Sequence, residues 1–327
     1  MSFLLSRRRF IESVGACAAV SSTSFRSLSE ILEPPLYPPM DLCSFDKPIT
    51  PAPFEIRFGY AAIAWKGNDR QAITEVSEAG YRGIQLRANV LAEFGDRPTA
   101  LRDLLQQHRL EMVALSSGDV PIAPGTGPER IAYHTHHAQF VRDVGGSYLQ
   151  LIDSARTTGR KPIAEDFKIL GTLLSEIGRR AADIGVSVGY HNHMDSLGDS
   201  PDNVDRVMNE VDPHYVKLLL DTAHYQQAGG DPAKAIRQYR DRILFLHLKD
   251  VASSAPGGAA DAGQSYRFVE LGAGRVDLRA VFAALKEIKF RGWGVVELDG
   301  ASDNARPPKE SAIISKKYLE EKLGMKV

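Results

Sequence analysis

The sequence predicts a closed (β/α)8 barrel on three observations. Eight short apolar runs recur from residue 54 onward, and segments with helical spacing of apolar residues separate them. Most runs are apolar almost throughout, as in a parallel sheet covered on both faces. Several become polar at their C-terminal ends, where α/β folds place their chemistry. An open doubly wound sheet is the alternative, but no Gly-x-Gly-x-x-Gly follows the first strand, so a dinucleotide fingerprint is missing.

The predicted elements alternate strictly over about 270 residues, which favours closure into a barrel. The predicted strands are Ile56–Ala62, Gly83–Leu86, Met112–Ser116, Tyr148–Ile152, Val186–His191, Val216–Leu220, Ile243–Leu248 and Gly294–Leu298. The predicted helices are Asp69–Ala79, Thr99–His108, Glu129–Val144, Glu165–Ile184, Pro201–Glu210, one helix that begins near Asp231, and Asp277–Ile288.

The N-terminal part of the chain is expected to be a targeting region. Ser6-Arg7-Arg8-Arg9-Phe10-Ile11 and the apolar run after it resemble a twin-arginine export signal, which predicts a periplasmic protein. Lipoprotein anchoring at Cys17 is the weaker alternative. Residues 1–30 are therefore assigned to the signal region, residues 31–53 to a proline-rich linker, and residues 54–327 to a single catalytic domain.

Charge and cysteine content exclude several classes of function. The net charge is -1, so neither nucleic acid nor a membrane surface is expected as a partner. The two cysteines, Cys17 and Cys43, lie before the barrel, so disulfides and thiolate metal sites are not expected within it. A small molecule is the expected partner. The sequence does not distinguish a monomer from a homo-oligomer.

Four consecutive predicted strands deliver polar side chains at their C-terminal ends, and in a barrel these ends meet at one mouth. They carry His191 and His193, then Asp221 with His224 one turn later, then His247 and Lys249, then Glu297 and Asp299. Imidazole and carboxylate ligands suit manganese, cobalt, zinc or ferrous iron better than calcium. The sequence therefore predicts a divalent-metal site at the mouth.

Two further regions are assigned no chemistry of their own. His134, His136 and His137 lie on the helix Glu129–Val144, without a carboxylate at ligand spacing, and are expected on a solvated face. Ala252–Gln264, which contains Gly257-Gly258, is expected to be a loop after the seventh strand, either a lid over the mouth or a plain insertion.

These motifs resemble the xylose isomerase-like TIM-barrel superfamily of sugar isomerases, epimerases and dehydratases. The resemblance covers about Phe54 to Leu323, and is strongest to inosose dehydratases, which act on keto-inositol. It is carried by Tyr190-His191-Asn192-His193-Met194, Leu220-Asp221-Thr222-Ala223-His224 and His247-Leu248-Lys249-Asp250. It implies that manganese, or else cobalt, magnesium or zinc, is held by His191, Asp221, His247 and Glu297.

The predicted chemistry is proton abstraction next to the carbonyl of a keto-sugar or keto-cyclitol, giving a lyase or isomerase. Glu297, His193 and His191 are candidates for the base. Lys249 is a candidate either for stabilising the oxyanion or for protonating a leaving hydroxyl, and His224 for a further catalytic role. The alternatives are a sugar epimerase, a catalytically silent exported sugar-binding protein, and an endonuclease-type enzyme, which the near-neutral charge disfavours.

Departures from the resembling family bear on the choice of reaction. Sugar epimerases of this superfamily usually have Glu where this chain has His191, so two-base epimerisation is less expected than elimination. Gln85 stands at the end of the second strand where many relatives have Glu. The fourth strand offers Gln150 and Asp153 where inosose dehydratases tend to have Glu.

Replacing Arg7 and Arg8 with lysine is expected to retain the protein in the cytoplasm, because the twin-arginine signal is defined by its arginine pair. Fractionation of cells that express the native chain and the double variant measures this. Continued export of the double variant would contradict the assignment.

Overall fold

Eight parallel strands close into a barrel in the computed structural model, which describes residues 54–154, 160–253, 266–299 and 306–327. The barrel strands follow one another in chain order around the barrel, and the last pairs with the first. The strands are β1 (Glu55–Ala61), β2 (Gly83–Arg87), β3 (Glu111–Val120), β4 (Tyr148–Asp153), β5 (Ser187–His191), β6 (Val216–Asp221), β7 (Ile243–Leu248) and β10 (Arg291–Val296). The closed barrel confirms the predicted fold.

Helices cover the outside of the barrel between successive strands. They are α1 (Asp69–Glu78), α2 (Leu91–Phe94), α3 (Pro98–Gln107), α4 (Gly127–Val144), α5 (Ala164–Ile184), α6 (Pro201–Glu210), α7 (Thr222–Gln227), α8 (Pro232–Gln238), α9 (Leu278–Glu287) and α10 (Pro308–Lys317). Short 3-10 turns follow β1 and β2 at Ala62–Trp65 and Ala88–Val90, and a π-helical turn, Tyr318–Lys322, follows α10.

Local sequence explains where several helices begin. The side chains of Asn68, Ser200, Asp231 and Asp277 accept backbone hydrogen bonds as N-caps of α1, α6, α8 and α9. Proline occupies the first turn of α6 and α8, where its missing N–H costs nothing. Elements that start at such caps were predicted to within about one or two residues, the usual scatter of helix ends.

The structure corrects two element predictions. Two helices, α7 and α8, replace the single helix expected between β6 and β7, because Asp221 itself caps a first helix that begins at Thr222. The eighth barrel strand is Arg291–Val296 rather than Gly294–Leu298, so Glu297 follows the strand instead of lying inside it.

An antiparallel hairpin, which the sequence did not predict, follows β7. It pairs β8 (Asp250–Ser253) with β9 (Tyr266–Val269). Most of the loop predicted between these strands, residues 254–265, lies outside the described residues, as do the export signal, the linker and Cys17. Among the helices of the described part of the chain, none combines the length and apolar character needed to cross a bilayer.

Asp250, the residue after Lys249, holds the segment that follows the hairpin. Its buried carboxylate accepts hydrogen bonds from the backbone N–H groups of Gly272 (3.0 Å), Gly274 (2.9 Å) and Val276 (3.0 Å). At Gly274 a Cβ would lie 2.2 Å from this carboxylate, so the close approach requires glycine. The segment Leu271-Gly272-Ala273-Gly274 therefore forms a turn wrapped around Asp250.

The expectation that the helix histidines lie on a solvated face is wrong for two of them. His134 and His137 are buried between α4 and the sheet, and only His136 is exposed. Ser117 Oγ on β3 lies 2.7 Å from Nδ1 of His134 and 2.8 Å from Nδ1 of His137. His134 Nε2 donates to the carbonyl of Asp119 (3.2 Å). Burial lowers the pKa of both imidazoles to about 4.

Acid is expected to destabilise the protein through His134 and His137. Their folded pKa of about 4 lies below the ordinary value of 6.5. Between these values the unfolded chain binds more protons, so stability falls as the pH drops from 6.5 to 4. Each histidine contributes at most about 1.4 kcal/mol per pH unit. Urea unfolding at pH 7 and pH 5 measures the free energy of unfolding. The decrease in this free energy between the two pH values should be smaller for His137→Gln than for the native chain. The exposed His136→Gln control should behave like the native chain, and equal losses in all three would contradict the assignment.

Candidate metal centre and active site

Four buried side chains meet at the C-terminal mouth of the barrel. His191 ends β5, Asp221 ends β6, His247 lies near the end of β7, and Glu297 directly follows β10. One ligand atom from each lies within 4.8 Å of the others. Because parallel strands end at the same rim, residues far apart in sequence are brought into one cluster. This is the set that the resemblance assigned to the metal.

The distances within the cluster fit a shared cation. His247 Nδ1 lies 3.0 Å from Glu297 Oε2 and 3.6 Å from Asp221 Oδ2. His191 Nε2 lies 3.4 Å from the same Asp221 oxygen. His247 Nδ1 is buried and has no hydrogen-bond partner among the described residues. A buried nitrogen that faces two carboxylates matches the mixed nitrogen and oxygen donor set of manganese, cobalt or zinc.

Local hydrogen bonds fix the orientation of Asp221. Its Oδ1 accepts from the backbone N–H groups of Ala223 (2.9 Å) and His224 (2.8 Å), which caps α7 and leaves Oδ2 facing the cluster. Its backbone is held by Asn192, which accepts from Asp221 N (2.9 Å) and donates to Asp221 O (3.3 Å). The carboxylate therefore needs little reorganisation to bind an ion.

A second group surrounds Lys249, whose side chain is fully buried. Its ammonium lies 3.3 Å from Glu297 Oε2 and 3.9 Å from Asp221 Oδ2, and it donates to Asp299 Oδ2. His224 Nε2 is 3.2 Å away. The ring of Phe268 on β9 covers the ammonium, with its centroid at 3.9 Å. Lys249 therefore links the metal cluster to Asp299 and lies beneath the hairpin.

The charged side chains of this site stabilise one another's ionised forms, and this changes their pKa values. Burial opposes every charge here, yet neighbours of opposite sign prevail for Lys249, for the two cluster carboxylates and for one of the two imidazoles. The carboxylates of Asp299, Glu297 and Asp221 raise the pKa of Lys249, and nearby cations hold the pKa of Asp221 and of Glu297 below the usual range.

The two imidazoles of the cluster differ in charge. Burial alone would lower the pKa of His247, but Glu297 and Asp221 raise it to about 9. Burial lowers the pKa of His191 to about 4, so this imidazole is neutral at physiological pH. The cationic imidazole of the cluster is therefore that of His247, whose Nδ1 faces the carboxylates of Asp221 and Glu297.

A pocket opens onto the cluster from the mouth. Its polar lining includes Gln85, Arg87, Gln150, His191, His193, Glu297 and Asp299. Of the predicted catalytic residues, His193 and Glu297 therefore face the pocket, whereas Lys249 and His224 do not belong to its lining. His193 Nδ1 bonds to the carbonyl of Met194, and its ring lies 3.8 Å from the ring of His224. The ring of His224 thus packs against the ring of His193.

Three residues at the site were named from the sequence without a catalytic or metal-binding role. Asp299 lines the pocket, and its Oδ1 has no hydrogen-bond partner among the described residues. Gln85 and Gln150, noted only as departures from the family pattern, connect the two imidazoles: His247 Nε2 contacts Gln85 Oε1 (2.9 Å), and Gln150 Nε2 contacts His191 Nδ1 (2.9 Å). The strand-end position of all three was the available signal.

The closed parallel barrel and the His/Asp/Glu cluster at its mouth place this chain among the (β/α)8-barrel proteins with a candidate metal centre. Within that class, a profile of the xylose isomerase-like TIM-barrel family matches residues 73–322, and the chain belongs to this family. The family membership confirms the resemblance inferred from the strand-end motifs.

Relatives and solved structures agree with this assignment. The chain is 29% identical to an inosose dehydratase of Lacticaseibacillus casei over 294 residues, which cover 81% of this chain and 96% of the relative. It is 27% identical to the rhizopine catabolism protein MocC of Rhizobium meliloti over 281 residues, 77% and 84% of the two chains. A crystal structure of IOLI protein with a binding zinc atom is similar, with a TM-score of 0.68, 21% identity and coverage of 81% and 97%.

Asp221→Asn is expected to weaken metal binding at least about tenfold, since losing a residue that merely orients a ligand already costs that much. Asparagine keeps the oxygen that caps α7, so the fold should persist. Asp231→Asn is the matched control, because Asp231 caps α8 through Ala233 and Lys234 in the same way and lies outside the cluster. Chelator competition with manganese and zinc measures affinity. Equal affinity of the two variants would contradict the site.

Proposed function

We propose that this protein is a metal-dependent lyase that removes water, or a glycosidic leaving group, from a keto-cyclitol or keto-sugar. The observation that carries the proposal is the cluster of four potential ligands. Two of them, His191 and Glu297, line a pocket whose wall holds further proton-exchanging groups. The similarity to the inosose dehydratase of Lacticaseibacillus casei supports this substrate class.

Asp221, His247 and Glu297 would hold the ion, with His191 beside them. When bound, a divalent ion would act as a Lewis acid toward the carbonyl oxygen of the substrate. We propose manganese as this ion, since mixed imidazole and carboxylate donors suit it, with cobalt, magnesium or zinc as alternatives in reconstitution. Asn192 and the first turn of α7 hold Asp221 in place for this role.

The pocket wall supplies the groups that move protons. Lys249 binds Oδ2 of Asp299, so Oδ1 is left free to accept the proton next to the carbonyl. His193 donates from Nδ1 to Met194, so its Nε2 is the position that exchanges a proton with the substrate. Both side chains line the same pocket. Lys249 stays charged behind them and stabilises negative charge that develops on the substrate.

Elimination is favoured over epimerisation by the identity of residue 191. Inversion of a carbon requires groups that exchange protons on both faces of the substrate, whereas elimination requires a base on one face. His191 packs between Gln150 and Asp221, and both of its ring nitrogens are engaged there. It is therefore not free to act as a second base, and the epimerase alternative is weaker.

A silent sugar-binding protein is disfavoured by the same geometry. Simple sugar binding does not require a buried lysine among three acidic side chains, since such a network costs stability unless its charges are used or neutralised. We further propose that the lyase acts in the periplasm after twin-arginine export, on the strength of the arginine motif at residues 6–11.

The reaction is tested in deuterated water with metal-loaded protein, using inosose, 3-keto-glycosides and free ketohexoses. We expect an enone, seen by ultraviolet absorbance, from the keto-cyclitol or keto-glycoside, and slow or absent C3 epimerisation of the ketohexoses. Metal-stripped protein is the control and should be inactive. Efficient epimerisation with deuterium at the inverted carbon, and no enone, would show that another residue supplies a second base.

A further inference from the structure

Two glutamine side chains form a continuous hydrogen-bonded chain between the imidazoles of the cluster. His247 Nε2 donates to Gln85 Oε1 (2.9 Å), Gln85 Nε2 donates to Gln150 Oε1, and Gln150 Nε2 donates to His191 Nδ1 (2.9 Å). All four residues are buried, and Gln85 and Gln150 are at most 5% exposed. Chains of this kind matter at such a site because buried polar groups are costly to leave unpaired.

A chain of two amides has a direction. Each amide meets one neighbour with its oxygen and the other neighbour with its NH2 group. If one terminal imidazole donates into the chain, the opposite imidazole must therefore accept from it. Both imidazoles could donate only if the two NH2 groups faced each other, which would break the central hydrogen bond. Hence only one of the two histidines can carry its proton on the nitrogen that faces the glutamines.

The charges of the cluster select the direction. His247 Nδ1 lies near two carboxylate oxygens, Glu297 at 3.0 Å and Asp221 at 3.6 Å, so it is the nitrogen best placed for a cation. A lone pair is available there only when the proton sits on Nε2, which donates to Gln85. At the other end, His191 Nδ1 accepts from Gln150, which leaves the proton on Nε2, 3.4 Å from Asp221 Oδ2.

We infer that Gln85 and Gln150 are positioning residues that make the two imidazoles inequivalent: His247 binds the metal through Nδ1, and His191 is a hydrogen-bond donor through Nε2–H rather than a fourth ligand. This revises the ligand set implied by the family resemblance. The inference rests on the proposed metal centre only for the role of His247, because the proton on His191 is fixed by the glutamine chain with or without an ion.

Long-range proton–nitrogen correlation spectra of metal-free and zinc-loaded protein measure the proton positions directly. The histidine resonances are assigned from variants in which one histidine at a time is replaced. His191 should show a protonated Nε2 and a bare Nδ1 in both states. Addition of zinc should change the chemical shift of His247 Nδ1. Observation of a protonated Nδ1 on His191, with its Nε2 shifted by zinc, would overturn the inference.

Changing either glutamine to glutamate should move the proton of His191 from Nε2 to Nδ1. A carboxylate at position 85 accepts on both sides, so Gln150 would turn its NH2 group toward it and accept from His191 Nδ1 instead. Gln85→Glu is therefore expected to move the proton of His191 to Nδ1 and free Nε2 to bind metal. Gln150→Glu should give the same reversal from the other position in the chain. An unchanged His191 spectrum in both variants would contradict the directional chain.

Metal affinity gives an independent readout that separates the new ligand from the added negative charge. His191→Gln, which keeps a donor near Asp221, should change zinc affinity less than about threefold in the native background but about tenfold or more in the Gln85→Glu background. Equal losses in both backgrounds would mean that His191 already ligates in the native protein. Absence of zinc binding would refute the metal centre, while the metal-free spectrum would still decide the proton position.

Discussion

The carboxylate of Asp221 is the interaction on which the site depends. It is fully buried, and its two oxygens have separate tasks: Oδ1 begins α7 by accepting from Ala223 and His224, and Oδ2 faces both imidazoles and Lys249. A buried charge is tolerated only when hydrogen bonds and opposite charges compensate its lost hydration. The helix cap supplies this locally, so the barrel can hold a charged oxygen at its mouth before any ion arrives.

Charge balance explains why a divalent ion belongs there. Three acidic side chains, Asp221, Glu297 and Asp299, surround one lysine, and His247 carries its own positive charge when no ion is present. An ion at His247 Nδ1 would replace that proton and add further positive charge among the carboxylates. Burial and Glu297 raise the pKa of Asp299, in line with an excess of negative charge near the lysine.

Much of the fold and the identity of the cluster could be predicted, because strand ends in a parallel barrel converge whatever the details of packing. Contacts between elements could not. The helix α4 lacks an apolar stripe because two of its buried positions are His134 and His137, which Ser117 on a separate strand satisfies. The contact of Gln85 with Gln150 depends on β2 and β4 facing each other across β3, and no local pattern in either strand encodes it.

The contacts of the family motifs separate residues that face the metal cluster from residues that hold the backbone in position. Thr222 Oγ1 donates to the backbone carbonyl of Lys249 (2.7 Å) and accepts from its N–H (3.0 Å), which joins the sixth strand end to the seventh. Asp250 accepts hydrogen bonds from the glycine turn after the hairpin and so holds that turn in place. Each motif thus carries a residue that faces the cluster and a neighbour that holds a separate backbone segment in place. Residues of the second kind set distances without touching a substrate, so their substitution should alter geometry first and chemistry only as a consequence.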